Sequence, residues 1–290
     1  MNTLRTTAEW IDLFRLDWID RGGTNLDTWH REYQLLFNRL PQDQALTSEH
    51  LLTLVKASKP NSRQRVRAVV STKALARFVG LDYDPSRYRG KYSFDSSMKP
   101  RNLPTDEAIV DYYHTIENVR WRWVYAMMAT YGLRGHEVFF LDLESLKRGE
   151  TILKVLDGKT GPREVWPFHP EWFQELQCYR PLIPRIKLDR STIALGNSIS
   201  SYFRLKTQSR SKMPWLPYDL RHRFAIRLCE YGLETALAAK QMGHGLDVHT
   251  TIYYKWIARD IHQKAYLKVT QNPNRPQPPK NPQSDTLSGF

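Results

Sequence analysis

One stretch constrains this chain more than any other: Leu216 to Trp256, LPYDLRHRFAIRLCEYGLETALAAKQMGHGLDVHTTIYYKW. It sets a guanidinium (Arg221), an imidazole (His244) and a phenol (Tyr253) in order, separated by two apolar runs, Phe224 to Cys229 and Leu237 to Met242. The spacing predicts two short helices, and Gly232 and Gly243 stand where a left-handed residue ends a helix. The three groups together suit a phosphodiester: a planar cation to bind it, a ring N–H to donate to it and a hydroxyl to attack it.

The 290 residues have room for two domains, each with its own core. A net charge of +13 calls for a polyanionic partner, either nucleic acid or an acidic membrane surface. No apolar run approaches the ~20 residues of a membrane span, and the first residues, MNTLRTTAEWIDLF, lack the apolar core of a signal peptide. Cys178 and Cys229 are too few for a disulfide framework or a zinc cluster and fit a reducing cytosol. A zinc site through His244 and His249 lacks further suitably spaced ligands, so neither metal nor cofactor is expected.

The ordered set Tyr218-x-x-Arg221-His222, Gly232, Met242-Gly243-His244 and Tyr253 resembles the C-terminal signature of the tyrosine site-specific recombinases, the phage-integrase family. That signature reads His-x-x-Arg-His, helix, Gly, helix, Leu-Gly-His, then a nucleophilic Tyr nine or ten residues on. Tyr218 departs from it by standing at the family's His position. A Tyr there, and the string from His249 to Trp256, resemble the branch that excises developmental DNA elements in heterocysts. Upstream, Tyr131-Gly132-Leu133-Arg134-Gly135-His136-Glu137 resembles the family's first arginine box, which makes Arg134 its catalytic arginine.

Along the chain, residues 5 to 80 read as helical, with cap candidates at Asn25, Asp27, Thr47 and Asn61 or Ser62, and stops at Gly22-Gly23 and Gly80. In the run Arg63 to Val79, Val66, Val69, Val70, Ala74 and Phe78 share one side; Arg63, Arg65, Arg67 and Lys73 lie largely elsewhere and are candidate phosphate contacts. Leu81 to Pro104 lacks periodicity and carries Arg87, Arg89, Lys91, Lys99 and Arg101, so it reads as a basic linker, with Arg87, Arg89 and Lys91 as further candidate DNA contacts. Thr105 starts a helix, Val119 to Tyr131 a buried second one. Thr151 to Val155, the turn Asp157 to Gly161 and Arg163 to Phe168 give a hairpin. Its Gly158-Lys159-Thr160-Gly161 resembles the context of the family's catalytic lysine, which assigns that role to Lys159. From Gln271 the chain is rich in Pro, Asn and Gln, a disordered tail.

These readings give a mainly α fold with a small antiparallel β-sheet: a helical core-binding domain (1–81) that clamps DNA, a linker (82–104), an α+β catalytic domain (105–270) and a tail (271–290). The resemblance implies a homotetramer that acts on two double-stranded DNA recombination sites, with accessory DNA-bending proteins, no membrane, and a place in the cytoplasm on the nucleoid. It implies roles as follows. Arg134 and Arg221 grip the non-bridging oxygens, His244 donates to them, and Lys159 protonates the leaving 5′ oxygen. Tyr253 attacks to give a 3′-phosphotyrosine. A phenol ordinarily titrates near pH 10, so Tyr218, in the imidazole's place, is expected to offer only a hydrogen bond. Two alternatives stand beside this reading: a degenerate recombinase that binds DNA without cutting it, and a type IB topoisomerase-like nicking-closing enzyme.

Overall fold

The computed structural model describes residues 5–23, 26–93, 102–158, 161–205, 213–253 and 259–277. They form two compact units, Met1–Lys99 and Pro100–Phe290.

The first unit is helical: α1 (Thr7–Asp20), α2 (Leu26–Trp29), a π-helical turn (His30–Gln34), α3 (Leu35–Phe37), α4 (Ser48–Lys56) and α5 (Arg63–Val79). A short polar side chain sets the start of α1, α4 and α5. Thr6 accepts from the Glu9 amide and Glu9 reaches back to the Thr6 amide, while Thr47 and Ser62 cap α4 and α5. Ile11, Phe14, Trp29, Phe37, Leu51, Leu54 and Leu75 fill the core, each contributing roughly 1.5–3 kcal/mol by leaving water.

The cations of α5 are not all free to meet a phosphate. Arg65, expected at one, is buried, and its guanidinium donates to the Lys56 and Ser58 carbonyls at the end of α4. Those carbonyls lack helical partners, so a buried donor is well used there. Arg67 pairs with Glu32 (2.7 Å) and Lys73 with Asp84 (2.9 Å); Arg63 is exposed. Val70 faces outward instead of joining the core, and Thr72 and Leu75 are buried in its stead. Residues 82–93, read as linker, lie against this unit. Tyr83 packs on its core and meets the Thr72 hydroxyl (3.2 Å), and Asn61 accepts from the Lys91 amide (2.9 Å). Arg87 stacks on Tyr88, and Arg89 and Lys91 are exposed, whereas Lys99 and Arg101 lie outside the described residues.

The second unit is mostly helical: α6 (Asp106–Thr115), α7 (Val119–Tyr131), α8 (Leu143–Lys147), α9 (Trp172–Glu175), α10 (Thr192–Leu205), α11 (Pro217–Glu230), α12 (Thr235–Met242), α13 (Leu246–Tyr253) and α14 (Arg259–Thr270). Its one described sheet is the antiparallel hairpin β1 (Leu153–Val155) and β2 (Arg163–Val165), with Lys154 opposite Glu164. The strands are shorter than the sequence pattern implied, because Phe168 leaves the ladder to pack on Phe224 and Tyr231. Helix α7 is buried and packs on α11. It stops at Gly132 in the left-handed region (φ 62°), where a Cβ would fall 2.3 Å from the Phe224 ring. Only glycine fits there.

A second staple ties α6 to α11. Asp106 accepts from Arg223 (2.9 Å) and Arg227 (2.6 Å) and meets His169 (2.8 Å). Burial alone would raise its carboxyl; the hydrogen bonds from both arginines outweigh that and hold it below the usual carboxylate range.

Candidate active site

The glycine stops that end α7 and α12 leave their last carbonyls without helical partners. Two arginines take them up. Arg221, on α11 and 1% exposed, donates through Nη1 to the Gly132 carbonyl (2.7 Å) and through Nη2 to Met242. Arg134, just past α7, donates through Nη2 to the Gly243 carbonyl (2.6 Å). The Leu-Arg and Gly-His boxes, more than a hundred residues apart, thus meet around two helix ends.

Behind them sits Glu137, fully buried. Its carboxylate accepts from the Arg134 amide (2.8 Å) and Nη1 (2.7 Å) and lies 3.9 Å from Arg221. Its bidentate partner is Arg163, at 2.9 and 2.8 Å. Burial alone would raise this carboxyl; the Arg163 hydrogen bonds and the charges of Arg163, Arg221 and Arg134 outweigh it and hold it at about 2. Three guanidinia around one carboxylate leave two positive charges over, a setting made for an anion.

Arg163 was absent from the residues singled out in the sequence. It also donates through Nε to the Gln241 carbonyl (2.9 Å), and a Cβ on Gly243 would fall 3.0 Å from its guanidinium carbon. One signal could have found it. Strand alternation puts Arg163 on the same face as the buried Val165, and a cation on a core-facing position needs an anionic partner.

The aromatic half of the site lies on α11, α13 and the turn before α13. Tyr253 is 2% exposed and His249, one helical turn before it, 1%. Ring centroids lie 4.8 Å apart for His249 and Tyr253, 5.2 Å for His244 and His249, and 6.0 Å for His244 and Tyr253. His222 packs between Tyr218 (4.9 Å) and Tyr253 (5.8 Å). Its ring forms one wall of the tyrosine's surroundings. Tyr218 is 45% exposed at the edge. Lys159 and Tyr254 lie outside the described residues.

Burial sets the protonation of these groups. It pushes the Tyr253 phenol up, a shift that Arg221 opposes. It pushes His244 down to about 4 and His249 down as well, with Arg221 adding to both. His244 Nδ1 lies 3.2 Å from the Gly245 carbonyl, which can only accept. The neutral ring therefore carries its proton on Nδ1 and presents a lone pair at Nε2. The donor role expected of His244 requires that it first gain a proton. Arg221 Nε, His244 Nε2 and His249 Nδ1 are buried with no hydrogen-bond partner among the described residues. Buried polar atoms are otherwise nearly always paired, so three together mark a place for a polar guest.

Residues 8–89 match the model for the XisA/XisC excisase second domain. The chain is 26% identical to excisase C of Nostoc sp. over 92% of its length, and 29% identical to excisase A of the same organism over 76%. It is 24% identical to tyrosine recombinase XerA of Pyrococcus furiosus, over 67% of this chain and 70% of that protein. Over most of its length this chain is similar to excisases and tyrosine recombinases. It spans 58% and 51% of the two excisases. In three dimensions it shares the fold of the Tn1549 transposon integrase, solved with transposon right-end DNA (TM-score 0.53, 13% identity, 92% of this chain and all of that one). A second integrase structure, with circular-intermediate DNA, has a TM-score of 0.54 at 12% identity, over 91% of this chain and 99% of that one.

Proposed function

We propose that this chain is a site-specific DNA recombinase that cuts and rejoins strands through a 3′-phosphotyrosine. The observation that carries this is the convergence of Arg134, Arg221, His244 and Tyr253, with Arg221 Nε and His244 Nε2 buried and unfilled. A phosphodiester supplies what they lack: oxygens for the guanidinia to donate to, and a negative charge that raises the His244 imidazole until it too can donate. The Tyr253 oxygen then attacks phosphorus, and the 5′ oxygen departs with a proton from Lys159. The new phosphodiester conserves the energy of the old, so a second 5′ hydroxyl reverses the step without ATP or a divalent ion. Duplex recombination sites, a homotetramer and accessory bending proteins follow from the same reading.

Two features favour a second reading, a protein that binds without cutting. Tyr253 is 2% exposed, and Tyr218 replaces the family's histidine. One experiment separates the two. The protein selects duplexes from a randomised pool, and those duplexes, nicked beside the cut strand, are offered as suicide substrates. A covalent protein–DNA band is the expected result. Tight binding with no band establishes the binding-only reading, and relaxation of plasmids that lack any selected site points to the topoisomerase-like alternative.

A further inference from the structure

The reaction proposed above leaves one proton unassigned. The Tyr253 phenol must lose it as the oxygen attacks, and burial makes that loss harder. At position 218, where the related signature has an imidazole, this chain has a half-exposed phenol, which has no ring nitrogen to take the proton. Among the described residues, three imidazoles are within ring contact of Tyr253: His222, His244 and His249.

Geometry distinguishes them. A ring-nitrogen lone pair lies in the plane of its ring, so two nearly parallel stacked rings cannot pass a proton between their edges. His244 stacks on Tyr253 at 24° and 6.0 Å, the least suitable arrangement. His222 is tilted at 60° but stands 5.8 Å off, against the ring of Tyr218 on its other side. His249 has its ring 4.8 Å away and tilted 51°. It sits four residues before Tyr253 on α13, the spacing that brings helical side chains together. It is 1% exposed, and its Nδ1 is buried without a hydrogen-bond partner among the described residues.

We propose that His249 is the general base for Tyr253, a role that rests on the recombinase reading. As the phenol oxygen bonds to phosphorus, its proton passes to His249 Nδ1. The bond from phosphorus to the 5′ oxygen breaks, and that oxygen takes its proton from Lys159. Rejoining runs backward: the incoming 5′ hydroxyl attacks phosphorus and gives its proton to Lys159, the phosphotyrosine bond breaks, and the His249 imidazolium returns its proton to Tyr253. Arg221 from α11, the ring of His244 and Tyr253 itself are the charged and titratable groups that face His249. Burial and the Arg221 charge both lower its affinity for a proton, which keeps the ring in the form that can accept one.

The test is single-turnover adduct formation on a nicked duplex selected on the protein itself, read across pH for wild type, His249→Asn, His249→Gln and His222→Asn. Wild type should form adduct at a rate that levels off above the imidazole titration. His249→Asn and His249→Gln should bind the duplex as tightly, lose about 100-fold in rate at neutral pH, and regain about tenfold per pH unit as hydroxide replaces the base. Added imidazole should partly restore His249→Ala. A duplex with sulfur in place of the bridging 5′ oxygen, whose leaving group needs no proton, should not rescue the His249 variants. His249 variants that cleave like wild type would overturn the role, as would a pH-independent loss or the same signature in His222→Asn alone. A wild-type protein that binds but forms no adduct on any selected duplex would overturn the recombinase reading, and this role with it.

Discussion

Glu137 and Arg163 form a bidentate pair inside the second unit, at 2.9 and 2.8 Å, with the carboxylate fully buried. The pair joins β2 of the hairpin to the carboxylate that also holds Arg134, and so ties that strand to the arginine cluster. Arg163→Met should lower stability by about 3 kcal/mol, because a buried charge loses its partner. Arg163→Lys should recover little, since an ammonium cannot make two parallel bonds. Urea midpoints give the answer; a loss under about 1 kcal/mol would mean that Arg134 alone satisfies the carboxylate.

Both site arginines should matter to catalysis and to the fold. Arg134→Ala and Arg221→Ala should keep most duplex affinity while adduct formation falls about 10²- to 10³-fold. Each should also lower stability by roughly 1–3 kcal/mol per lost contact, because Arg221 leaves the Gly132 and Met242 carbonyls without their donor and Arg134 leaves the Gly243 carbonyl and the buried Glu137 without theirs. A urea midpoint unchanged from wild type in either variant would contradict that arginine's contacts.

Adjacent tyrosines offer a clean choice of nucleophile. Tyr253 lies among His249, His244 and His222. Neighbours on a helix diverge by about 100°, so one phenol alone reaches the phosphate. Tyr253→Phe should bind duplex and form no adduct, while Tyr254→Phe forms it. Peptide mapping of a trapped adduct to Tyr254 would overturn the assignment.

Acid should unfold the second unit by a defined route. Glu137 is held at about 2, below its ordinary 4.5, and Asp106 is lowered too. A depressed carboxyl contributes stability that is complete above its unfolded value and disappears as pH falls through the folded one. Glu137 alone corresponds to about 3 kcal/mol, lost between pH about 4.5 and 2. Glu137→Gln should flatten that part of the stability–pH curve; an unchanged slope would show that other carboxylates dominate.

Salt should weaken duplex binding with a log–log slope of magnitude about 6 or more. Exposed Arg63 and buried Arg65 divide the contributions. Arg63→Ala should reduce the slope by about one, whereas Arg65→Ala should leave the slope alone and lower stability, because it caps α4. The reverse pattern would return Arg65 to the DNA.

Much of the architecture was legible because its causes are local. The caps at Thr47, Ser62 and Thr105 and the stops at Gly80, Gly132 and Gly243 depend on one side chain or on the missing Cβ, and all six act as helix caps or stops. Arg134, Arg221, His244 and Tyr253 could be singled out because their spacings match a known signature, and the fold brings the four together. The function of an individual cation was not legible. Arg63 and Arg65 stand two residues apart in one basic run, yet one faces solvent and the other holds the end of a neighbouring helix. By itself, then, the sequence determined where helices begin and end and which chemical groups are present, since those depend on contacts within a few residues. Only the tertiary structure decided that Arg163 closes over Glu137, that His249 and His222 flank Tyr253, and that the arginines occupy the open carbonyls of two helix ends. Each of those contacts joins segments or faces whose meeting depends on packing, and a buried charge or imidazole takes its properties from the neighbours that packing supplies.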